Sequence, residues 1–329
     1  MKGVSLEALG LHRRAVICDA HCDTLLRLER QEGSLGERSA AGHVDLPRLL
    51  EGGVTAQVFA LFVEDVYLPA QALRRTLQLL DRFYRELAAN PERMLLATCA
   101  ADIRRAREEG KVAAILGLEG GEALDGTVAT LRIYHRLGVR LLTLTWNRRN
   151  ALADGLDEAH TDGGLTRLGV EVVKEMNRLG MLVDLAHLSP AGLADVLRVT
   201  TSPVIVSHAN AQALCSHPRN LSDEQLRAVA LTGGLVCATF VPRFIAPQNA
   251  TLEHLLEHIV HMVRVAGEDH VGLGSDHDGF NPQETLADLP DVSYLPRLTD
   301  GLLRRGLSER VVEKVLGGNF LRVFEEVVG

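Results

Sequence analysis

Apolar residues along this chain fall into two alternating kinds of run. Short, nearly continuous ones, such as AVICDAH, VAAILGLE, MLVDLAH, PVIVSH and HVGLGSD, show little period-two alternation. That is the pattern of parallel strands covered on both faces. It predicts eight strands, near residues 16–21, 55–63, 112–118, 139–145, 181–187, 203–208, 234–241 and 270–275. Between them lie stretches whose apolar positions recur at helical spacing. QALRRTLQLLDRFYRELAAN, stopped by Pro91, is the clearest; LTRLGVEVVKEMNRLG, SDEQLRAVALTG and TLEHLLEHIVHMVRVAG follow the same rule. Gly138, Gly180, Gly233 and Gly267 stand where helix C-termini favour a residue free to turn left-handed. Ser189-Pro190 and Ser222 stand where helix starts favour a side-chain cap. Strand then helix, repeated eight times, predicts an α/β fold, a (β/α)8 TIM-type barrel filling residues 1–329 as one domain. The segment LPRLTDGLLRRGLSERVVEKVLGGNFLRVFEEVVG reads as extra C-terminal helices packed on that barrel. A doubly wound sheet is the alternative, but the Gly-rich phosphate fingerprint it carries after its first strand is missing.

Composition narrows the function classes. The formal net charge of -8 argues against nucleic acid as a partner, since binding it needs a basic surface. No run approaches the roughly 18 apolar residues of a membrane span, and the N-terminus lacks the apolar core of a signal peptide. The cysteines, Cys18, Cys22, Cys99, Cys215 and Cys237, are odd in number and scattered. They are expected to be reduced thiols in a cytoplasmic protein.

The chemistry is concentrated at strand ends. His21 and Asp23, Glu119, His187, His208 and Asp276 each close one of the apolar runs. In an α/β barrel the carboxyl ends of all strands converge on one rim, where active sites form. Imidazoles and carboxylates meeting there suit two divalent metals, and two metals can activate water for hydrolysis. Strand alternation puts His21 and Asp23 on one face and turns Cys22 away. Each signal alone is weak: H-x-D is common, and a lone Glu or His at a strand end is more often structural. Their joint placement, with none in mid-helix, carries the reading. Asp276 is read as a ligand or as the group that handles the proton of the attacking water.

These residues together resemble the membrane dipeptidase family of the amidohydrolase superfamily, in its prokaryotic type. The matching segments, DAHCDT, GLEGG, LTLTWNRRNALADG, VDLAHLS, VIVSHANA, SHPRN and GLGSDHDG, occur in the family's order. The resemblance implies a metallo-dependent hydrolase barrel with two Zn2+ ions per chain. His21 and Asp23 would hold one ion and His187 and His208 the other, with Glu119 and a water or hydroxide bridging them. It implies Glu119 and Asp276 as catalytic groups. Arg219, in HPRN, would hold the terminal carboxylate of a dipeptide, which suits its planar fork. Asn220 beside it, and Trp146 and Asn147 after LTLT, would complete substrate binding; from their position at the rim alone, Trp146, Phe240, Arg243 and Phe244 are expected to shape the pocket. A homodimer is what the resemblance suggests for assembly. The sequence departs from the family at Trp146, where animal members carry a His that contacts the substrate carbonyl. Asn147, Arg148, Asn150 or the metals themselves are left to polarise it. His277 stands where an aromatic is usual and reads as a packing residue. The expected activity is hydrolysis of L-Xaa-L/D-Xaa dipeptides. The alternatives are another metal-dependent amidohydrolase, such as one acting on N-acyl amino acids, and a non-catalytic metal-binding protein.

Two competing motifs carry less weight. His254-Leu255-Leu256-Glu257-His258 matches the inverted zinc-peptidase pattern, with His261 one turn on. It falls on a predicted outer helix, away from the catalytic rim, and its polar residues are expected to face solvent. Ser207-His208 lacks the G-x-S-x-G setting of a serine nucleophile.

Overall fold

The computed structural model describes residues 3–31 and 33–329. Eight parallel strands close into a barrel with helices outside. They are β1 (Cys18–Cys22), β2 (Ala56–Phe62), β4 (Val112–Glu119), β5 (Val139–Thr143), β6 (Leu182–Asp184), β7 (Ile205–Val206), β8 (Leu235–Ala238) and β9 (Val271–Leu273). β1 pairs with β2 and with β9, the order then runs down from β9 to β4, and the β2–β4 pairing completes the circle. The remaining strand, β3 (Met94–Leu96), runs beside the first residues of β4. Sequence reading missed it because three residues cannot show a period.

All eight predicted barrel strands form, and their apolar uniformity has the expected cause. One cluster, with Ala20, Val58, Ile115, Leu182 and Leu235, fills the barrel interior. A larger one packs the outer strand faces against the helices. The C-terminal helix Asn319–Val328 brings Phe320, Val323 and Phe324 to the interior cluster at the strand starts, so it covers the N-terminal mouth of the barrel. The sequence pattern predicts helices here but not which end of the barrel they cover. Gly138, Gly180, Gly233 and Gly267 all have positive φ after their helices. Ser189 and Ser222 cap theirs, the latter in a reciprocal capping box with Gln225. Among the described residues no helix is long and apolar enough to cross a membrane.

Strands β6, β7 and β9 are shorter than predicted, and the shortening has a functional consequence. His187, His208 and Asp276 sit in turns just past the strand ends rather than on the ladders. His187 (φ 64°) and Asp276 (φ 61°) adopt left-handed backbone, which is uncommon for residues other than glycine and gathers at functional sites.

Candidate metal centre

The rim brings all six predicted strand-end residues together, every one of them with a buried or nearly buried side chain. Three overlapping groups have ligand atoms within 4.8 Å of one another: His21, Asp23 and Glu119; Glu119, His187 and His208; and His21, His208 and Asp276. Glu119, the last residue of β4, lies between the first two groups. Its Oε2 is 3.4 Å from His21 Nε2 and its Oε1 is 3.1 Å from His187 Nε2. One oxygen thus faces each half of the site. On β1 the pairing with β2 slips by one residue between Asp19 and Cys22. Cys22 packs in the outer cluster, while His21 Nε2 stands 3.4 Å from Asp23 Oδ2.

Hydrogen bonds behind the site decide the tautomers. His187 Nδ1 lies 2.7 Å from Asn147 Oδ1, an acceptor, so Nδ1 carries the proton and Nε2 presents a lone pair. His208 Nδ1 lies 2.8 Å from Ser207 Oγ, whose own proton goes to Asp184 Oδ2 at 2.5 Å. His208 Nε2 is therefore also a bare lone pair. The two Nε2 atoms face each other at 2.9 Å with no proton to share, and Glu119 Oε1 joins them. Such a convergence of acceptors is stable only around a cation. His21 Nε2 and Asp23 Oδ1 are buried without hydrogen-bond partners, as open ligand atoms would be. The residues present fit two divalent metals.

Electrostatics agree. Burial, with the charges of Arg219 and His21 nearby, pulls His187 down to about 3. Burial drives His208 well below its usual value too. Both imidazoles are neutral, the form that binds metal. Burial opposes charge on His21, but Glu119 and Asp23 outweigh it and raise its basicity well above normal. Burial, reinforced by Asp23 and Glu119, pushes Asp276 well up.

Two buried carboxylates that sequence reading passed over brace the ligand turns. Asp184 accepts from Thr143 Oγ1, Ser207 Oγ and the Ser207 and Ala186 amides. Asp19 accepts from Ser275 Oγ and from the amides of Ser275 and His21. Asp184 ties the end of β6 to the turn after β7, and Asp19, near the start of β1, ties that strand to the turn after β9; Ser-His and Ser-Asp in those turns are the available signal. Ser207 thus orients His208 by contacting its ring, which adjacent residues can do here because β7 ends at Val206. Gly274 precedes this turn, and a Cβ there would overlap the Ser207 carbonyl. Gly274→Ala is expected to cost about 1–3 kcal/mol of stability and to lower metal affinity. Thermal melts with metal titration check this; an unchanged melting point and affinity would contradict it.

The metal groups open into a cavity of about 430 Å³, lined among others by Phe62, Trp146, Asn147, His217, Arg219 and Arg243. Arg219 is 6% exposed; its Nη2 donates to the His208 carbonyl at 3.0 Å, and its buried Nε has no partner. Trp146 forms an apolar wall, 5.4 Å from the Phe62 ring and 5.8 Å from that of His187. Asn147 is engaged through its oxygen with His187. Arg148 pairs with Asp65, and the Asn150 side chain is used on Leu144, Leu152 and Ala153 backbone groups. Neither can polarise a substrate carbonyl.

Other expectations need correction. Asn220 does not line this cavity, because its amide is consumed by Asn210 N–H and by the Cys215 and Phe244 carbonyls. Phe240 instead packs edge-on against His277 at 5.4 Å. His277 packs as predicted, stacked on His43 at 5.1 Å, and its carbonyl accepts from Asp23 N–H. In the helix Leu252–Ala266, His258 and His261 are buried rather than solvent-facing. His258 bridges Ala211 N–H and the Ile245 carbonyl, and His261 pairs with Asp223. That motif is structural. His217 and Phe62 also line the cavity; His217 stands in the SHPRN segment two residues before Arg219, whereas Phe62, the last residue of β2, carries no motif.

Comparison with known proteins converges on the same architecture. The sequence matches the family described as membrane dipeptidase (peptidase family M19) over residues 6–328. It is 38% identical over 302 residues to dipeptidase tcpJ of Claviceps purpurea, covering 88% of this chain and 70% of that protein. The structure resembles that of dipeptidase AC, a metallopeptidase of family M19, with a TM-score of 0.88 and 29% identity over 96% of this chain and 99% of that one. It also resembles a Rhodobacter sphaeroides metallopeptidase liganded with a phosphinate mimic of L-Ala-D-Ala, with a TM-score of 0.87 and 28% identity over 95% and 99% of the two chains. With its strand-end ligands on one rim of a closed parallel barrel, this chain belongs to the membrane dipeptidase family, peptidase family M19.

Proposed function

We propose that this chain is a binuclear zinc dipeptidase that hydrolyses L-Xaa-L/D-Xaa dipeptides. The observation that carries the reading is the convergence of neutral His187 and His208 lone pairs with Glu119 Oε1, beside the His21, Asp23 and Glu119 Oε2 group. His21 and Asp23 would hold one ion, His187 and His208 the other, and Glu119 both. Bound there, zinc supplies an acidified water and polarises the scissile carbonyl.

The chain's own residues do the rest. Asn147 and Ser207 fix the His187 and His208 rings in the ligating tautomer. Asp276 lines the cavity and takes the proton of the attacking water. It returns that proton to the leaving amine as the C–N bond breaks. Arg219 offers its unpaired guanidinium edge to the free carboxylate, which limits substrates to short peptides. Trp146 and Phe62 shield the reacting carbonyl from bulk water, leaving its polarisation to the metals. The free thiols support a reducing, cytoplasmic setting.

The test is metal analysis of purified protein with a panel of L,L and L,D dipeptides and N-acyl amino acids. Dipeptide turnover with about two zinc ions per chain is expected. Chelation is expected to abolish turnover and lower thermal stability, because a ligand bound only by the folded state stabilises it. Added Zn2+ should restore both. Two bound metals with cleavage only of N-acyl amino acids would replace this reading with an acyl-amino-acid hydrolase.

A further inference from the structure

We propose that Arg243 selects dipeptides whose second residue carries a side-chain carboxylate, Asp or Glu. This rests on the dipeptidase reading and extends it to substrate class. Arg243 lies in the short helix Pro242–Ile245 that follows β8, and it lines the cavity beside Arg219. Both guanidiniums pack on one ring: Arg243 Cζ is 5.1 Å and Arg219 Cζ 5.6 Å from the Phe244 centroid. His217 lies against the same ring at 4.4 Å. Among the described residues neither arginine has a carboxylate within the 4.0 Å reach of a salt bridge.

The remaining cavity arginine, Arg30, differs. Glu64 lies 3.4 Å from it and is shared with Arg75 at 2.9 Å. The cavity arginines without a directly paired carboxylate therefore both stand on the Phe244 wall. The metal-side carboxylates, Asp23, Glu119 and Asp276, line the same cavity, and Asp276 and Glu119 act on Arg219 from beyond ion-pair reach.

Two unpaired guanidiniums ask for two carboxylates, and a dipeptide with a neutral second residue brings one. Arg219, 6% exposed, takes the α-carboxylate next to the reacting centre. Arg243 is exposed and lines the same cavity, so it is left for the side chain of the leaving residue. An Asp or Glu side chain there completes an ion pair that Asn or Gln cannot, although they match it in shape. The surface position of Arg243 limits the gain to the scale of a half-exposed pair.

The experiment compares kcat/KM for L-Ala-L-Asp with L-Ala-L-Asn, and for L-Ala-D-Asp with L-Ala-D-Asn. It uses the zinc-loaded wild type, Arg243→Gln and Arg243→Lys. The wild type should prefer the acid by about fivefold in at least one series, through KM rather than kcat. The ratio should fall toward one in Arg243→Gln and persist in Arg243→Lys. Ionic strength near 1 M, where charges are screened within about 3 Å, should shrink it. A wild-type ratio of one or less, or a ratio unchanged in Arg243→Gln, would overturn the proposal and leave the dipeptidase reading standing. No turnover of any of these dipeptides would overturn both.

Discussion

Glu119→Gln is expected to lower kcat/KM for dipeptides by about 10³-fold or more, the cost of losing several kcal/mol of metal-based transition-state stabilisation. Glu119 alone belongs to both metal groups through different atoms, sending Oε1 toward His187 and His208 and Oε2 toward His21. An amide keeps one acceptor oxygen and turns an N–H2 group toward the other half, where His21 or a metal stands. The variant should bind less than the wild-type complement of zinc under conditions that saturate the parent. Steady-state kinetics and metal analysis of the same preparations check both statements. Full metal occupancy with turnover within tenfold of wild type would remove Glu119 from its assigned place between the two groups. Backbone ladders on either side, Phe62 to Glu119 and Glu119 to Thr143, keep the position rigid. A folded but inactive protein is therefore the anticipated outcome, and a circular-dichroism spectrum matching the parent is its control.

Arg219→Ala is expected to reduce kcat/KM by about 10²-fold, chiefly by raising KM, as loss of a buried charge partner does. Burial lowers the Arg219 pKa only to about 10, so the side chain is a cation at neutral pH and its buried Nε is unmatched. The readout specific to this role is the discrimination between a dipeptide and its C-terminal amide. The wild type should favour the free acid strongly, and Arg219→Ala should lose most of that preference. Arg219→Lys should recover little, because a point charge lacks the planar fork. Equal acid-to-amide ratios in wild type and variant would show that Arg219 acts through the His208 carbonyl it contacts rather than on substrate.

Much of this molecule was legible before folding was considered. The continuous apolar runs marked all eight barrel strands because strands covered on both faces cannot alternate. The six ligand-type residues were legible because a parallel barrel sends every strand's carboxyl end to one rim. That topological rule converts distant sequence positions into neighbours without any knowledge of contacts. Helix ends were legible at Gly180, Gly233 and Ser222 because caps act within a few residues.

What stayed hidden depends on side chains meeting across strands. Asn220 follows Arg219 and looked like a second substrate contact, yet Asn210 and Cys215 of its own loop and Phe244 after β8 consume its amide. Asp19 and Asp184 looked like ordinary residues of apolar runs, yet they brace the turns that aim His208 and Asp276. His258 matched a metal motif, yet its ring satisfies two backbone groups. The sequence by itself determined the barrel and the set of ligands, because periodicity and strand direction are properties of the local chain. Only the tertiary structure decided the tautomers of His187 and His208, the two-sided position of Glu119 and the unpaired state of Arg219 and Arg243. Each of those depends on which donors and acceptors remain once every neighbour has taken its share, and that balance exists only in three dimensions.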